Sequence, residues 1–362
     1  MESEKSVIGF PDQSVFLDIE TCWTKLSTFR KNNRSVAKFT YSAIPFSKEF
    51  SLHDIKPSDF FIDDELYKSN VLLLYNLRRG LTFISGKYTK SIIRKGLQKF
   101  FDLEPEALET HPGNKNTINY LWHPIKKHIE QGNAIEVYET RKANGENAQI
   151  SFYPPLNTWC ISSKNVSLLA RSSEDLNNYK RRRFSYALEI AEIWFEMLNK
   201  ISLDIEKVKE MFAYRTFIGE YVGSSLHQHL VKYSKKTILF YAIVNNNGNA
   251  CCIDVEEAFK IFRVLNLETV SIKSCGVFSD VNELKKCLLN EYIRVSKGRV
   301  DVEDEGSVFY FVKHGDNNHT VCLTKMKTLE YRLFRKIREC LRREINNISS
   351  NLIPNISLQF TP

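Results

Sequence analysis

Between Ala134 and Ser167 apolar and polar residues alternate with a period of two. The runs AIEVYET, NAQISFY and TWCISSK are rich in β-branched and aromatic residues. They predict three strands joined by tight turns. Phe217–Val222 and Thr237–Val244 repeat the strand signal, and Ser307–Lys313 with Thr320–Lys325 predicts a strand pair. Elsewhere the period is helical. Helices are expected over Thr117–Glu130, Ile205–Phe212, Glu256–Leu265 and Asp280–Tyr292. A longer one is expected over Phe184–Asn199, with Tyr186, Ile190, Ile193 and Met197 on one face. Ser172–Asp175 resembles a helix start. The apolar run Val71–Tyr75 and the following Arg78–Phe83 predict paired strands, whereas residues 1–70 give a weak pattern. Near the end Leu329, Leu333, Ile337, Leu341 and Ile345 recur at every fourth position, with Arg332, Arg335, Lys336, Arg338, Arg342 and Arg343 on other faces. That is a basic amphipathic helix. Strands and helices without regular βαβ alternation predict an α+β fold.

Composition narrows the picture. The chain has 362 residues, 43% apolar and 26% charged, so it is globular rather than disordered. The net charge of +8 fits contact with a polyanion without requiring it. No apolar run is long enough to span a bilayer. The N-terminus lacks a basic-then-apolar signal pattern. A cytoplasmic or nuclear protein, not a secreted one, is expected. The 8 cysteines include no CxxC pair, which indicates neither a zinc ribbon nor a disulfide framework and suits a reducing compartment. His227 and His229, with no cysteine nearby, read as ordinary loop histidines.

The sharpest local feature is Arg141-Lys142-Ala143-Asn144-Gly145-Glu146-Asn147. One reading is structural: Asn-Gly is a strong signal for a two-residue hairpin turn, because both residues tolerate positive φ. The other is chemical, with Lys142 as a covalent nucleophile. A lysine attacks only when neutral, and at an ordinary pKa of about 10.4 few molecules are neutral at pH 7. The site must therefore tune it through cations, a metal or burial.

Lys142-x-Asn144-Gly145 resembles the nucleophile motif of the covalent nucleotidyltransferases, the RNA and DNA ligases and mRNA capping enzymes. Asn at the third position is similar to the tRNA ligase variant. Further strings follow in that family's order. They are Ser162-Ser163-Lys164, Phe217-Ile218-Gly219-Glu220-Tyr221, the strand with Phe240 and Tyr241, Glu305-Gly306-Ser307-Val308 and Lys325-Met326-Lys327. Upstream, Arg78-Arg79-Gly80-Leu81 and Lys99-Phe100-Phe101-Asp102 resemble the N-terminal part of phage-type RNA ligases, with Asp102 in place of the usual Asn. The resemblance implies a nucleotidyltransferase (ligase adenylation) fold of antiparallel sheets flanked by helices. Residues 1–130 would form its N-terminal part, 131–328 its core and 329–362 a basic helix and tail.

It also implies roles. Lys142 would carry AMP. Arg79, Arg141, Asn144, Gly145, Glu220, Phe240, Lys325 and Lys327 would bind the nucleotide, with Phe240 stacking on the purine, Arg78 able to serve in place of Arg79, and Glu220 on the ribose or helping to hold a metal. Glu305 would hold Mg²⁺ or Mn²⁺, although Glu303 and Asp304 in the same acidic run compete for that assignment. Asn144, lacking a carboxylate's charge, would favour the neutral lysine, and Lys325 with Lys327 would depress its pKa. Lys99, Lys164, Arg181 and Arg182 are the candidate RNA contacts, although 180–183 also reads as a solvated helix start or a nuclear-localisation run.

The implied activity is ATP-dependent joining of an RNA 5′-phosphate to a 3′-hydroxyl. No P-loop string is present, so any end-healing falls to separate enzymes. With the short stretch after Lys327, the oligonucleotide-binding barrel of DNA ligases and capping enzymes is not expected. Two alternatives stand beside it: a GTP-dependent RNA guanylyltransferase, and a non-catalytic RNA-binding module.

Overall fold

The computed structural model describes residues 18–32, 34–43, 49–60, 62–103, 115–224, 230–298, 305–315 and 318–352. The N-terminal part contains α1 (Ile19–Asn32), β1 (Val36–Ser42), β2 (Ser51–Pro57), α2 (Asp63–Ser69), α3 (Val71–Asn76), β3 (Leu81–Ser85) and β4 (Lys90–Lys95). Its strands form an antiparallel meander, β1-β2-β3-β4. Next come α4 (Lys115–Glu130), β5 (Ala134–Lys142), β6 (Glu146–Tyr153), β7 (Thr158–Ser162), β8 (Ser167–Ala170), α5 (Arg181–Leu198) and α6 (Ile205–Phe212). They are followed by β9 (Arg215–Val222), β10 (Thr237–Asn245), β11 (Cys252–Ile253), α7 (Val255–Val264), β12 (Ile272–Phe278) and α8 (Val281–Ser296). The chain closes with β13 (Gly306–His314), β14 (His319–Lys327) and α9 (Leu329–Leu352).

Two five-stranded sheets make the centre, ordered β10-β9-β6-β7-β8 and β11-β14-β13-β5-β12. All their strand pairs are antiparallel. The α+β class follows as expected. Period-two alternation sorts the core into layers. On β13, Phe309 and Phe311 join the cluster of α4 and α8 residues, whereas Val308, Tyr310 and Val312 join the cluster that contains the other central sheet. Trp194 of α5, Phe212 of α6 and Phe262 of α7 lie in that same cluster and bury the first sheet's other side. The N-terminal meander is joined to it by Leu52, Ile84 and Ile93, packed with Tyr153, Cys160 and Leu169.

Arg94 and Asp54 lie at the same junction, both 1% exposed and 3.5 Å apart. Thr82, Tyr41 and the Ser167 amide also donate to the Asp54 carboxylate. A buried pair of this kind is stable only because its remaining lone pairs are satisfied.

Two expectations change. Val71–Asn76 is a helix, not a strand. Asn70 caps it, accepting from the Leu73 amide at 3.0 Å, and a short apolar run does not distinguish a buried helix from a strand. The segment Ala143–Gly145 is not a hairpin either. β5 pairs with β13 and β12, β6 pairs with β9 and β7, and the two strands lie in different sheets. Neither Asn144 nor Gly145 is among the residues with positive φ. Instead Gly145 permits a close crossing, since a Cβ there would lie 2.2 Å from the Tyr221 carbonyl oxygen.

Candidate active site

Lys142 is the last residue of β5, at the seam between the central sheets. Its carbonyl accepts from the Glu305 amide at 2.9 Å, and Gly306 pairs with it in register. Thus β13 begins beside the end of β5 and delivers Glu305 to the lysine. Lys142 Nζ lies 2.9 Å from Glu305 Oε1, with the carboxylate side chain 7% exposed and the lysine side chain 21% exposed. On the opposite sheet Glu220 of β9 accepts from the Gly145 amide at 3.1 Å. Lys325 and Lys327 alternate on β14, and both reach Asp102, at 3.6 and 3.5 Å. Asp102 is held there because residues 101–103 run alongside β14, with the Leu103 amide donating to the Lys325 carbonyl.

Arg79, Phe100, Lys142, Gly145, Glu220 and Lys325 share the wall of a cavity of about 230 Å³ with Lys164 and Tyr241. A narrower pocket of about 50 Å³ adjoins it, lined by Phe100, Arg141, Lys142, Val308, Tyr310 and Tyr241. Cations on one rim, carboxylates around the lysine and an aromatic slot are what a nucleoside phosphate requires: charge neutralisation, a place for a cation and a flat apolar contact.

Burial works against the Lys142 charge, but Glu305 and Glu220 outweigh it and hold its pKa above the ordinary lysine value. Burial likewise raises Glu305, yet Lys142 and Lys327 bring its pKa below the usual carboxylate range. Glu220 is pushed up to about 7, mainly by burial, with Glu305 adding to it. Lys325 is pushed down to about 7 by burial, with Lys327, Lys99 and Lys142 adding to the effect and Asp102 opposing it. The expectation that Lys325 and Lys327 depress Lys142 therefore fails in the free protein. The nearest charges to Lys142 are carboxylates.

Asn144 is buried and fully engaged. Its side-chain oxygen accepts from the Leu230 and Val231 amides at 3.1 and 3.3 Å. Its Nδ2 donates to Glu305 Oε2 and to the Tyr331 hydroxyl, both at 3.2 Å. An aspartate here would set a second carboxylate against Glu305. The Asn thus acts through Glu305, holding it by a hydrogen bond.

Phe240 does not reach the cavity. It is fully buried against Phe262, and Tyr241, next on β10, lines both pockets instead. The β10–β9 register slips between Phe240 and Ala242, so the aromatic pair was legible but the ring that faces the cavity was not. The Tyr241 hydroxyl accepts from Asn147 at 2.9 Å.

Arg78 is buried and donates to the Asn249 carbonyl at 3.0 Å, leaving Arg79 at the cavity. Lys99 is buried in an ion pair with Asp64, and Lys164 meets Asp63 at 3.3 Å. Two successive aspartates at the start of α2 thereby hold two of the expected RNA contacts. Arg181 pairs with Glu192 of its own helix at 2.8 Å, and Arg182 is exposed. Glu303, Asp304, His227 and His229 lie outside the described residues. Sequence reasoning missed Tyr331 and the Asp63–Asp64 pair, for which no local pattern exists. Glu139, Cys275 and Glu291 also cluster, but Lys273 and Arg294 neutralise that group.

No protein-family model and no curated protein matches the chain. Solved structures similar to it are ATP-dependent RNA and DNA ligases. An archaeal ATP-dependent RNA ligase aligns at 13% identity and a TM-score of 0.47, over 85% of this chain and 62% of its own. A putative ATP-dependent DNA ligase from Aquifex aeolicus aligns at 14% and 0.42, over 86% and 64%. A Naegleria gruberi RNA ligase variant, solved with ATP and Mn, aligns at 15% and 0.35, over 57% and 54%. The chain thus spans less than two thirds of the length of these three neighbours. No described helix is long and apolar enough to cross a membrane.

Proposed function

We propose that the protein is an ATP-dependent RNA ligase acting through a lysyl-AMP intermediate on Lys142. The observation that carries this reading is the convergence on one cavity of a lysine paired with Glu305 and a rim of Arg79, Lys164 and Lys325.

In the first step Lys142 Nζ, after losing a proton, attacks the α-phosphorus of ATP. A P–N bond forms, the bond to the β-phosphate oxygen breaks and pyrophosphate leaves. Next an RNA 5′-phosphate oxygen attacks the same phosphorus, the P–N bond breaks and an AMP-capped 5′ end results. Finally a 3′-hydroxyl loses its proton, attacks the RNA phosphorus and expels AMP. Arg79, Lys164 and Lys325 neutralise phosphate charge, Tyr241 offers a face to the purine, and Glu220 and Gly145 shape the ribose side.

Glu305 and Glu220 fit a divalent cation. Both carboxylates act on Lys142, and two carboxylates beside a rim that takes phosphate are the hard oxygen donors such a cation prefers. Mg²⁺ or Mn²⁺ held there would neutralise charge on the nucleotide.

RNA is favoured over DNA because the segment that resembles phage-type RNA ligases supplies the site directly, through Arg79, Phe100 and Asp102. Intact-protein mass after incubation with ATP and Mg²⁺ tests the first step. An AMP-sized adduct in wild type and none in Lys142→Ala is expected, followed by circularisation of a 5′-phosphorylated RNA with a 3′-hydroxyl. A GMP adduct from GTP would move the reading to a guanylyltransferase. No adduct with either nucleotide would leave an RNA-binding module.

A further inference from the structure

Helix α9 begins directly after β14 and is mostly solvent-facing. Leu329, Leu333, Ile337, Leu341 and Ile345 are all exposed. Tyr331 is the exception in its first turn, at 4% exposure. The Thr328 hydroxyl accepts from the Tyr331 amide at 3.0 Å, and the Thr328 amide donates to the Glu305 carbonyl at 3.2 Å. The helix start is thus tied to the residue that contacts Lys142.

The side chain joins a chain of hydrogen bonds that ends on Glu305. Asn144 Nδ2 donates to both the Tyr331 hydroxyl and Glu305 Oε2, at 3.2 Å each. The Tyr331 hydroxyl thus holds the same amide nitrogen that donates to the Glu305 carboxylate. Glu305 Oε1 is left to face Lys142. A carboxylate on a flexible side chain has several rotamers, and a donor whose own orientation is fixed selects one.

We propose that Tyr331 is a positioning residue that, together with Asn144, fixes the Glu305 carboxylate toward Lys142 and the nucleotide cavity. This rests on the ligase reading for its purpose, but the geometry concerns Glu305 alone. Helix α9 is then part of the site rather than an appendage.

The test is direct Mn²⁺ binding to the nucleotide-free protein, followed by electron paramagnetic resonance, in wild type, Tyr331→Phe, Asn144→Ala and the double variant. Leu333→Ala, on the exposed face of the same helix, is the control. Tyr331→Phe keeps the ring and removes one hydroxyl. It is expected to weaken Mn²⁺ binding about twofold to tenfold, as for a hydrogen bond between uncharged groups. Leu333→Ala should bind Mn²⁺ as wild type does. The double variant should lose less than the product of the single losses, because both act on one carboxylate. In adduct formation the metal requirement should rise in Tyr331→Phe while the ATP concentration for half-maximal rate stays within about twofold.

Unchanged Mn²⁺ binding in folded Tyr331→Phe overturns the proposal. So does an equal loss in Leu333→Ala, which would mean that helix packing, not the hydroxyl, is responsible. If Tyr331→Phe does not fold, wild-type Mn²⁺ affinity in Asn144→Ala overturns it. Failure of wild type to form any adduct would sink the ligase reading and leave the Mn²⁺ comparison standing.

Discussion

The ammonium of Lys142 and the carboxylate of Glu305 meet at 2.9 Å where the end of β5 lies beside the start of β13. The pair keeps the candidate nucleophile protonated in the free protein, since the neighbouring carboxylates raise its pKa. Nucleotide phosphates entering the cavity would compete for the same basic groups. The resting lysine is therefore held in place and chemically quiet.

Glu305→Gln removes the strongest of those carboxylate contributions. Proton affinity at Lys142 should fall, so its neutral fraction at a given pH should rise, by up to about tenfold for each unit its pKa drops. A short pulse of an acylating reagent at pH 8, read by peptide mapping, should label Lys142 faster than in wild type. Equal labelling would show that Glu305 does not control the amine.

Phe240 and Tyr241 should separate stability from binding. Phe240→Ala empties a packed site against Phe262 and should cost about 3–5 kcal/mol of stability. Tyr241→Ala should cost little stability but weaken ATP binding by about 1–3 kcal/mol, the range for an aromatic stacked on a base. Thermal unfolding and nucleotide titration of both variants check this. The reverse pattern would place the purine elsewhere.

Glu220 and Lys325 make opposite contributions across pH. Glu220 titrates at about 7 in the folded chain, above its unfolded value of about 4.3. Its stabilising share is therefore complete below the unfolded value and lost as pH rises through 7. Relative to wild type, Glu220→Gln should gain about 1–3 kcal/mol between pH 4.5 and 8. Lys325 is depressed to about 7, so the folded chain binds fewer protons than the unfolded one from there to about 10.4. Lys325→Met should stabilise the protein below pH 7 and lose that advantage as pH rises. Denaturant unfolding across pH checks both signs.

Asp54 and Arg94 hold the N-terminal meander to the rest of the chain. Asp54→Ala strands a buried guanidinium and should destabilise by about 3–5 kcal/mol. Chemical denaturation measures this. A loss below about 1 kcal/mol would mean that the apolar contacts alone secure the junction.

The strands around Lys142, the basic amphipathic helix and the α+β class were legible locally, because period and composition are properties of contiguous residues. The ordered strings at 142, 220, 305 and 325–327 were legible too, since each sits on a strand or, for Glu305, directly before one. β12 was missed because it is a partly exposed edge strand with a bulge at Gly276. What only the tertiary structure decided was which groups meet. Hairpin chemistry and a sheet-to-sheet crossing share the letters Asn-Gly, and partners distant in sequence chose the crossing. Phe240 packs into the α7 core, and the register slip beside it leaves Tyr241 at the cavity. Glu305, Asn144 and Tyr331 come from three separate elements, so no local signal could couple them. The burial that shifts Glu220 and Lys325, and the carboxylates that keep Lys142 charged, come together only once the two central sheets close around the site.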